Sequence, residues 1–323
     1  MTPWTTWTGS VLARRDVWGR APSAHNTQPW LVTESDGFLR VGWDEDRCLH
    51  VGDPERRDLM LSLGAVVESL VITAADLGHA LGVAWDIDLV SRSAATLTRV
   101  AGPPARTWSV GELVNRRTAR SAFEEPFAGA DEVARVVAHA NARLDVVEPT
   151  LVARLLPLAD RWTFDGPAAA ELGTWLRLSP RDLRYREDGL TDRALELSRL
   201  EALGLRLALL PPVLAVLRRT GATRLLASSA TARPTGTVVM LSGPAGLGPA
   251  GIAELGRALL RLWLGAGREG LSCHPLSQLI DCPRTAAELP AGAGREPVVV
   301  FRLGRPRRPA PKSSRLGDLP TLT

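Results

Sequence analysis

The chain has 323 residues, 45% hydrophobic and 23% charged, with a net charge of +4. That length buries a core without cross-links, and so weak a positive balance excludes a surface built for nucleic acid. Three cysteines outside any zinc spacing indicate a reducing cytoplasm, and the longest apolar stretch, Leu203–Leu217, is too short and too broken by Arg206 and Pro211-Pro212 to cross a bilayer.

The N-terminal stretch to Arg20 holds Trp4, Trp7 and Trp18 among polar residues and lacks the apolar core of a signal peptide. Leu31–Glu34 and Phe38–Trp43 alternate around Ser35-Asp36-Gly37 and predict a hairpin. Asp53-Pro54 predicts a helix start, with Asp53 as N-cap, and the stripe Leu63, Val67, Leu70, Val71 and Ala74 carries that helix to about Gly78. Strands follow at Val83–Val90 and Leu97–Ala101, and Gly102-Pro103-Pro104 ends the first part.

Beyond Thr107, helices are expected at Val110–Arg117 and Asp131–Ala142, then a helical region with loop insertions from Leu151 to Leu226. Thr237–Leu241 reads as a strand, Ile252–Gly265 as a helix and Pro297–Leu303 as a last strand before a basic arm. At an offset of 192 positions Leu63-Gly64 matches Leu255-Gly256, and Gly78 matches Gly270, which suggests an internal duplication. The expected division is 1–106 and 107–323, the second part carrying an insertion at about 151–226 and an arm at 304–323.

Four segments carry the candidate chemistry. Arg20–Trp30 crowds Pro22, Ser23, His25, Asn26 and Gln28 at a junction suited to a planar ligand with hydrogen-bonding edges. Arg116, Arg117, Thr118 and Arg120 combine planar cationic forks with a short donor, as a phosphate monoester requires. The loop Gly270–Gln278 offers backbone donors around Pro275, Leu276, Ser277 and Gln278, and the tail supplies Lys312, which is the single lysine of the chain, with Ser313 and Arg315.

The first segment resembles the R-x-P-S-x-x-N-x-Q-P-W signature of the flavin-dependent nitroreductase superfamily, most closely its Acg-like branch. Arg116–Arg120 with Phe123 is similar to that family's R-R-S-x-R-x-F segment, and Pro311–Leu316 to its closing P-K-S-R-L element with one extra serine. The resemblance implies an α+β, three-layer α/β/α nitroreductase-like fold of two pseudo-repeated halves, mimicking the family's dimer within one chain. It implies one FMN per chain, with Arg116, Thr118 and Lys312 on the phosphate, Arg120 at the pyrimidine edge, and Ser277 and Gln278 offering backbone N–H near N5. No side chain is expected to act as the catalytic acid or base; the flavin carries the chemistry.

The implied activity is hydride transfer between NAD(P)H or a substrate and a small organic acceptor: a nitroaromatic, a quinone or a biosynthetic intermediate. The alternative is a protein that binds and sequesters FMN. A small-molecule substrate, a monomer or homodimer and no metal are expected; the insertion, with Ser179–Thr191 at its centre, is expected to form a lid. Gly246-Leu-Gly248-Pro-Ala-Gly251 matches a dinucleotide fingerprint in letter only, since Pro249 lacks an N–H and no acidic strand end follows. Cys273-His274 suggests a thiolate nucleophile, but the two are adjacent and no acid partner is evident, so Cys273 is read as a packed structural cysteine.

Overall fold

The computed structural model describes residues 6–138, 140, 142–223, 235–290 and 292–317. Helices α1 (Trp7–Leu12) and α2 (Arg15–Trp18) precede the hairpin β1 (Trp30–Ser35) and β2 (Phe38–Trp43), then α3 (Arg57–Asp76), β3 (Leu81–Asp88) and β4 (Ser93–Arg99). Next come α4 (Val110–Asn115), α5 (Ala130–Ala138), β5 (Leu144–Val146), α6 (Pro149–Asp165), α7 (Ala168–Thr174), β6 (Leu176–Arg177), β7 (Leu190–Thr191), α8 (Arg199–Ala208) and α9 (Pro211–Thr220). The chain continues through β8 (Thr237–Pro244), α10 (Pro249–Arg268), β9 (Ser272–Pro275), α11 (Gln278–Asp281), α12 (Pro283–Ala286) and β10 (Arg295–Gly304).

Two antiparallel four-stranded sheets result, ordered β1-β2-β4-β3 and β5-β8-β10-β9. In β2, Leu39, Val41 and Trp43 point inward while Arg40 faces water, so the first sheet is covered on one face. In β8, Val239 and Leu241 pack toward α5 and α10, while Val238 and Met240 join the α6 and α11 side. The second sheet therefore sits between two helical layers. This mixed α+β architecture has the helix–sheet–helix layering expected of the chain in its second sheet.

The two sheets are joined through α3 and α10, which cross with their backbones in contact. A Cβ on Gly64 would lie 1.9 Å from the Ala253 carbonyl oxygen, and one on Gly256 would lie 2.3 Å from that of Leu61. These glycines are the pair related by the 192-residue offset. Helix α3 is long and apolar enough to cross a membrane, but protein encloses it on nearly every side and makes it a core helix.

Several predicted boundaries shift. Helix α3 starts at Arg57, not Pro54: Arg56 takes a left-handed φ of 59° and ends the preceding turn. Asp53 still serves the helix, since its carboxylate accepts the Leu59 N–H at 2.8 Å. The helix expected over Val110–Arg117 stops at Asn115, leaving Arg116–Arg120 in extended backbone that reaches Cys273. The loop expected at Gly270–Gln278 contains β9, because Ser272–Pro275 pair with β10. Residues 139, 141, 224–234, 291 and 318–323, which include parts of the predicted second-half helices, the insertion and the arm, lie outside the described residues.

Candidate functional site

The stretch from Pro22 to Gln28 folds against its own preferences. His25, Asn26 and Gln28 take φ values of 46°, 57° and 53°, left-handed positions that cost non-glycine residues about 1–3 kcal/mol each. Distant groups hold them there. Asn26 Nδ2 donates to the carbonyls of Gly189 and Ser314, both at 3.1 Å, and its Oδ1 accepts from Arg315 at 2.6 Å. Gln28 donates from Nε2 to the Glu187 carbonyl at 2.9 Å and accepts the Leu316 N–H at 2.9 Å. Arg315, buried, also donates to the carbonyls of Gly19, Arg20 and Ala21. The turn is thus imposed by the tail and by residues 185–189.

This turn forms one wall of a partly open cavity of about 240 Å³. Pro22, Ser23, His25 and Asn26 line it together with Arg116, Thr118 and Arg120. Pro275, Ser277, Ser313 and Arg315 complete the set of predicted residues that converge there. The remaining predicted residues do not line it. Gln28 belongs to the latch just described, and Arg117 turns back to the carbonyls of Val114 and Arg116. Leu276 packs into the core below the second sheet, and Gln278 opens α11 and donates to Asp160 at 3.0 Å. Lys312 is exposed and outside the lining.

Other wall residues had no binding role of their own in the sequence, though Leu190 lies in the expected lid segment and His274 in the Gly270–Gln278 loop. Arg57, Asp58 and Ser62 enter from α3, Trp263 from α10, Leu190 from β7 and His274 from β9. A helix stripe announces its core face; it does not announce that the first turn of α3 opens onto a cavity assembled from segments distant in the chain. Arg57 is held between Asp58 at 2.7 Å and Asp281 at 2.6 Å. Burial, followed by the charge of Asp58, pushes the carboxyls of Asp53 and Asp281 above the ordinary aspartate range. This carboxylate group was not legible in the sequence, because Asp281 joins Asp53 and Asp58 from a distant part of the chain.

Electrostatically the cavity suits an anion: four guanidiniums, of Arg57, Arg116, Arg120 and Arg315, face the single carboxylate of Asp58 in its lining. Arg116 is 9% exposed, lies over the Trp263 ring at 4.6 Å and donates from Nη2 to the Arg20 carbonyl. Among the described residues its Nε and Nη1 have no hydrogen-bond partner, and burial, with Arg20 nearby, pulls its pKa down to about 9. Buried donors without acceptors are costly, so this guanidinium fits a negatively charged ligand group. Arg120 is aimed by the segment 194–196: its Nη1 donates to the Ala194 carbonyl at 2.7 Å, and Glu196 accepts the N–H groups of Arg120 and Ser121 at 2.5 and 2.7 Å.

The insertion reaches this site through a buried ionic knot. Asp188 is fully buried and paired with Arg47 at 2.7 Å, Arg177 at 2.9 Å and Arg184 at 2.6 Å. Beside it, the Tyr185 carbonyl accepts from Ser314 and Trp175 lies beneath Arg47 and Arg177. Arg181 and Arg186 face solvent. The dinucleotide reading of Gly246–Gly251 is excluded by topology, since both neighbours of β8 run antiparallel to it. Cys273 is buried, with its thiol pKa pushed up by burial, as a packed side chain requires. Among the described residues no His, Cys, Asp and Glu group is placed to hold a metal.

No protein-family model matches the chain. It is similar over 64 residues, at 36% identity, to the "Putative NAD(P)H nitroreductase acg" of Mycobacterium tuberculosis, covering 20% of this chain and 19% of that protein. A second putative NAD(P)H nitroreductase of the same organism is 41% identical over 59 residues, 18% of this chain and 17% of its own. The chain thus spans about a fifth of the length of the curated relatives it matches. Among solved structures, a nitroreductase with bound FMN from Bacteroides fragilis aligns at a TM-score of 0.36 and 15% identity, over 66% of this chain and 96% of that one. The FMN-dependent nitroreductase NfnB of Mycobacterium smegmatis, in complex with NADPH, aligns at 0.34 and 19% identity, over 60% and 86%.

Proposed function

We propose that this chain, a relative of the Acg-type nitroreductases across its matched segment, is an FMN-dependent oxidoreductase that passes reducing equivalents from NAD(P)H or a substrate to a small organic acceptor. The observation that carries this reading is Arg116: a buried guanidinium with two unanswered donors, in a cavity where Asn26 and Arg120 meet from opposite parts of the chain. Arg116, with Thr118, Ser23 and Ser313 from the same lining, would hold the phosphate; Arg120 would face the electron-rich edge of the ring. Bound FMN would supply two-electron transfer through its N5. The residues around it would bind, orient and shield, and Leu190, with the segment 185–189 that anchors Asn26 and Gln28, would close the approach from one side.

The relatives' names support NAD(P)H as donor and a nitroaromatic among the acceptors. Titration with FMN is expected to quench flavin fluorescence to an endpoint of one flavin per chain, and NADH or NADPH is expected to bleach the bound flavin's visible band anaerobically. A protein that ignores FMN would refute the reading. Bound flavin that stays oxidised with both nucleotides would replace it with the sequestering alternative.

A further inference from the structure

His274 stands directly opposite Arg302 in the β9–β10 register, and the pair is chemically asymmetric. Arg302 donates from Nε to His274 Nδ1 at 3.0 Å. A guanidinium carries only donors, so Nδ1 must present its lone pair and the ring proton must sit on Nε2. Arg302 cannot turn away, since it also donates to the carbonyls of Thr235, Arg120 and Ser121 at 3.1, 2.5 and 3.0 Å and lies over Phe123 at 4.7 Å. His274 lines the cavity, and among the described residues Nε2 has no hydrogen-bond partner.

We propose that His274 is a ligand-binding residue, an uncharged Nε2–H donor for an acceptor atom on the edge of a planar ligand in the cavity, with Arg302 as the positioning residue that fixes its tautomer. The fitting ligand chemistry is a carbonyl or nitro oxygen or an aromatic ring nitrogen, which either the flavin itself or the organic acceptor carries; this part rests on the proposed function. A neutral donor polarises such an atom without the proton exchange of an imidazolium. Protonation of the ring would set N–H against N–H at Arg302. Burial opposes it too, as do the charges of Arg120 and Arg302, and together they hold the imidazole pKa well below 6.5. The other charged groups at the cavity are Arg57 and Asp58 on α3, Arg116 and Arg315, while Glu196 is committed to the Arg120 and Ser121 N–H groups.

The test is nitrogen NMR on the full chain labelled with 15N-histidine, assigned with His274→Gln. The expected spectrum shows an unprotonated Nδ1, a protonated Nε2 and no titration between about pH 5 and 8. Addition of FMN moves the Nε2 signal if the flavin is the acceptor; if the substrate is, only menadione moves it. His274→Leu, at an unchanged melting midpoint, is expected to weaken the responding ligand about 3- to 10-fold, and His274→Gln to restore most of that loss. A proton on Nδ1, or a titration near 6.5 in the wild-type chain, would overturn the inference. So would FMN binding with no response of Nε2 to either compound and no loss in His274→Leu, which leaves the proposed function standing. Conversely, a chain that binds no FMN but whose Nε2 answers menadione keeps the donor and loses the cofactor.

Discussion

If Arg116 holds the ligand's anionic group as proposed, it couples stability to ligand binding in opposite directions. Its two unanswered donors lie in a buried site with three other arginines lining the same cavity, so the ligand-free protein carries an uncompensated charge. Arg116→Met keeps the packing over Trp263 while removing that charge. The expected outcome is a melting midpoint without FMN that is equal to or above wild type, together with FMN affinity reduced roughly 10- to 150-fold, the range for a hydrogen bond to a charged group. Unchanged FMN affinity would remove Arg116 from the anion site. At this scale the sequence was informative about type and weak about direction. The polar set from Pro22 to Gln28 was visible as a cluster, yet Asn26 and Gln28 spend their amides on Gly189, Ser314 and Glu187. Nothing local foretells a partner 163 residues away.

Elements were legible wherever a periodic face met a single core. The hairpin β1–β2 and the long helices α3 and α10 follow directly from alternation and from the helical stripe. Strand β9 was hidden, because Ser-Cys-His-Pro has no strand alternation of its own and is a strand through pairing with β10. The crossing of α3 and α10 gives a direct comparison of two glycines in one helix. Gly256→Ala places a methyl 2.3 Å from the Leu61 carbonyl oxygen, so the helices must separate, at a cost of about 1–3 kcal/mol that outweighs the helix-propensity gain. Gly267→Ala meets nothing within 4 Å and is expected to stabilise by up to about 1 kcal/mol. Denaturant midpoints should therefore move in opposite senses; a shared direction would mean that the close approach does not bear on stability.

Across the whole molecule, the first and second sheets are tied by ion pairs that reach over their junction: Arg57 to Asp281, and Arg257 to Glu68 at 2.8 Å. Asp281 makes this junction sensitive to pH. Burial and the charge of Asp58 raise its folded-state pKa above the ordinary 3.8 against the opposing pull of its Arg57 partner, so ionising Asp281 costs more in the folded chain than in the unfolded one. Stability from this source is present below the ordinary value and is lost as pH rises through the raised one. Asp281→Asn removes the titration while keeping the shape. Relative to wild type, the variant is expected to be more stable at pH 8 by about 1 kcal/mol, with the advantage vanishing toward pH 4. A difference between the two proteins that stays constant with pH would show that Asp281 ionises normally.

The amino-acid pattern alone determined that this chain forms a mixed α+β protein with two long apolar helices, and it identified the arginine-rich and Asn-Gln-rich segments that could grip an anionic planar ligand. Periodicity and residue chemistry are local, so they survive in one dimension. Which of those residues reach a common cavity was decided only in three dimensions, by the α3–α10 crossing and the return of the tail to the Pro22–Gln28 turn. His274 shows the limit most clearly: its charge and its free edge depend on a strand neighbour, and a linear sequence does not record strand register.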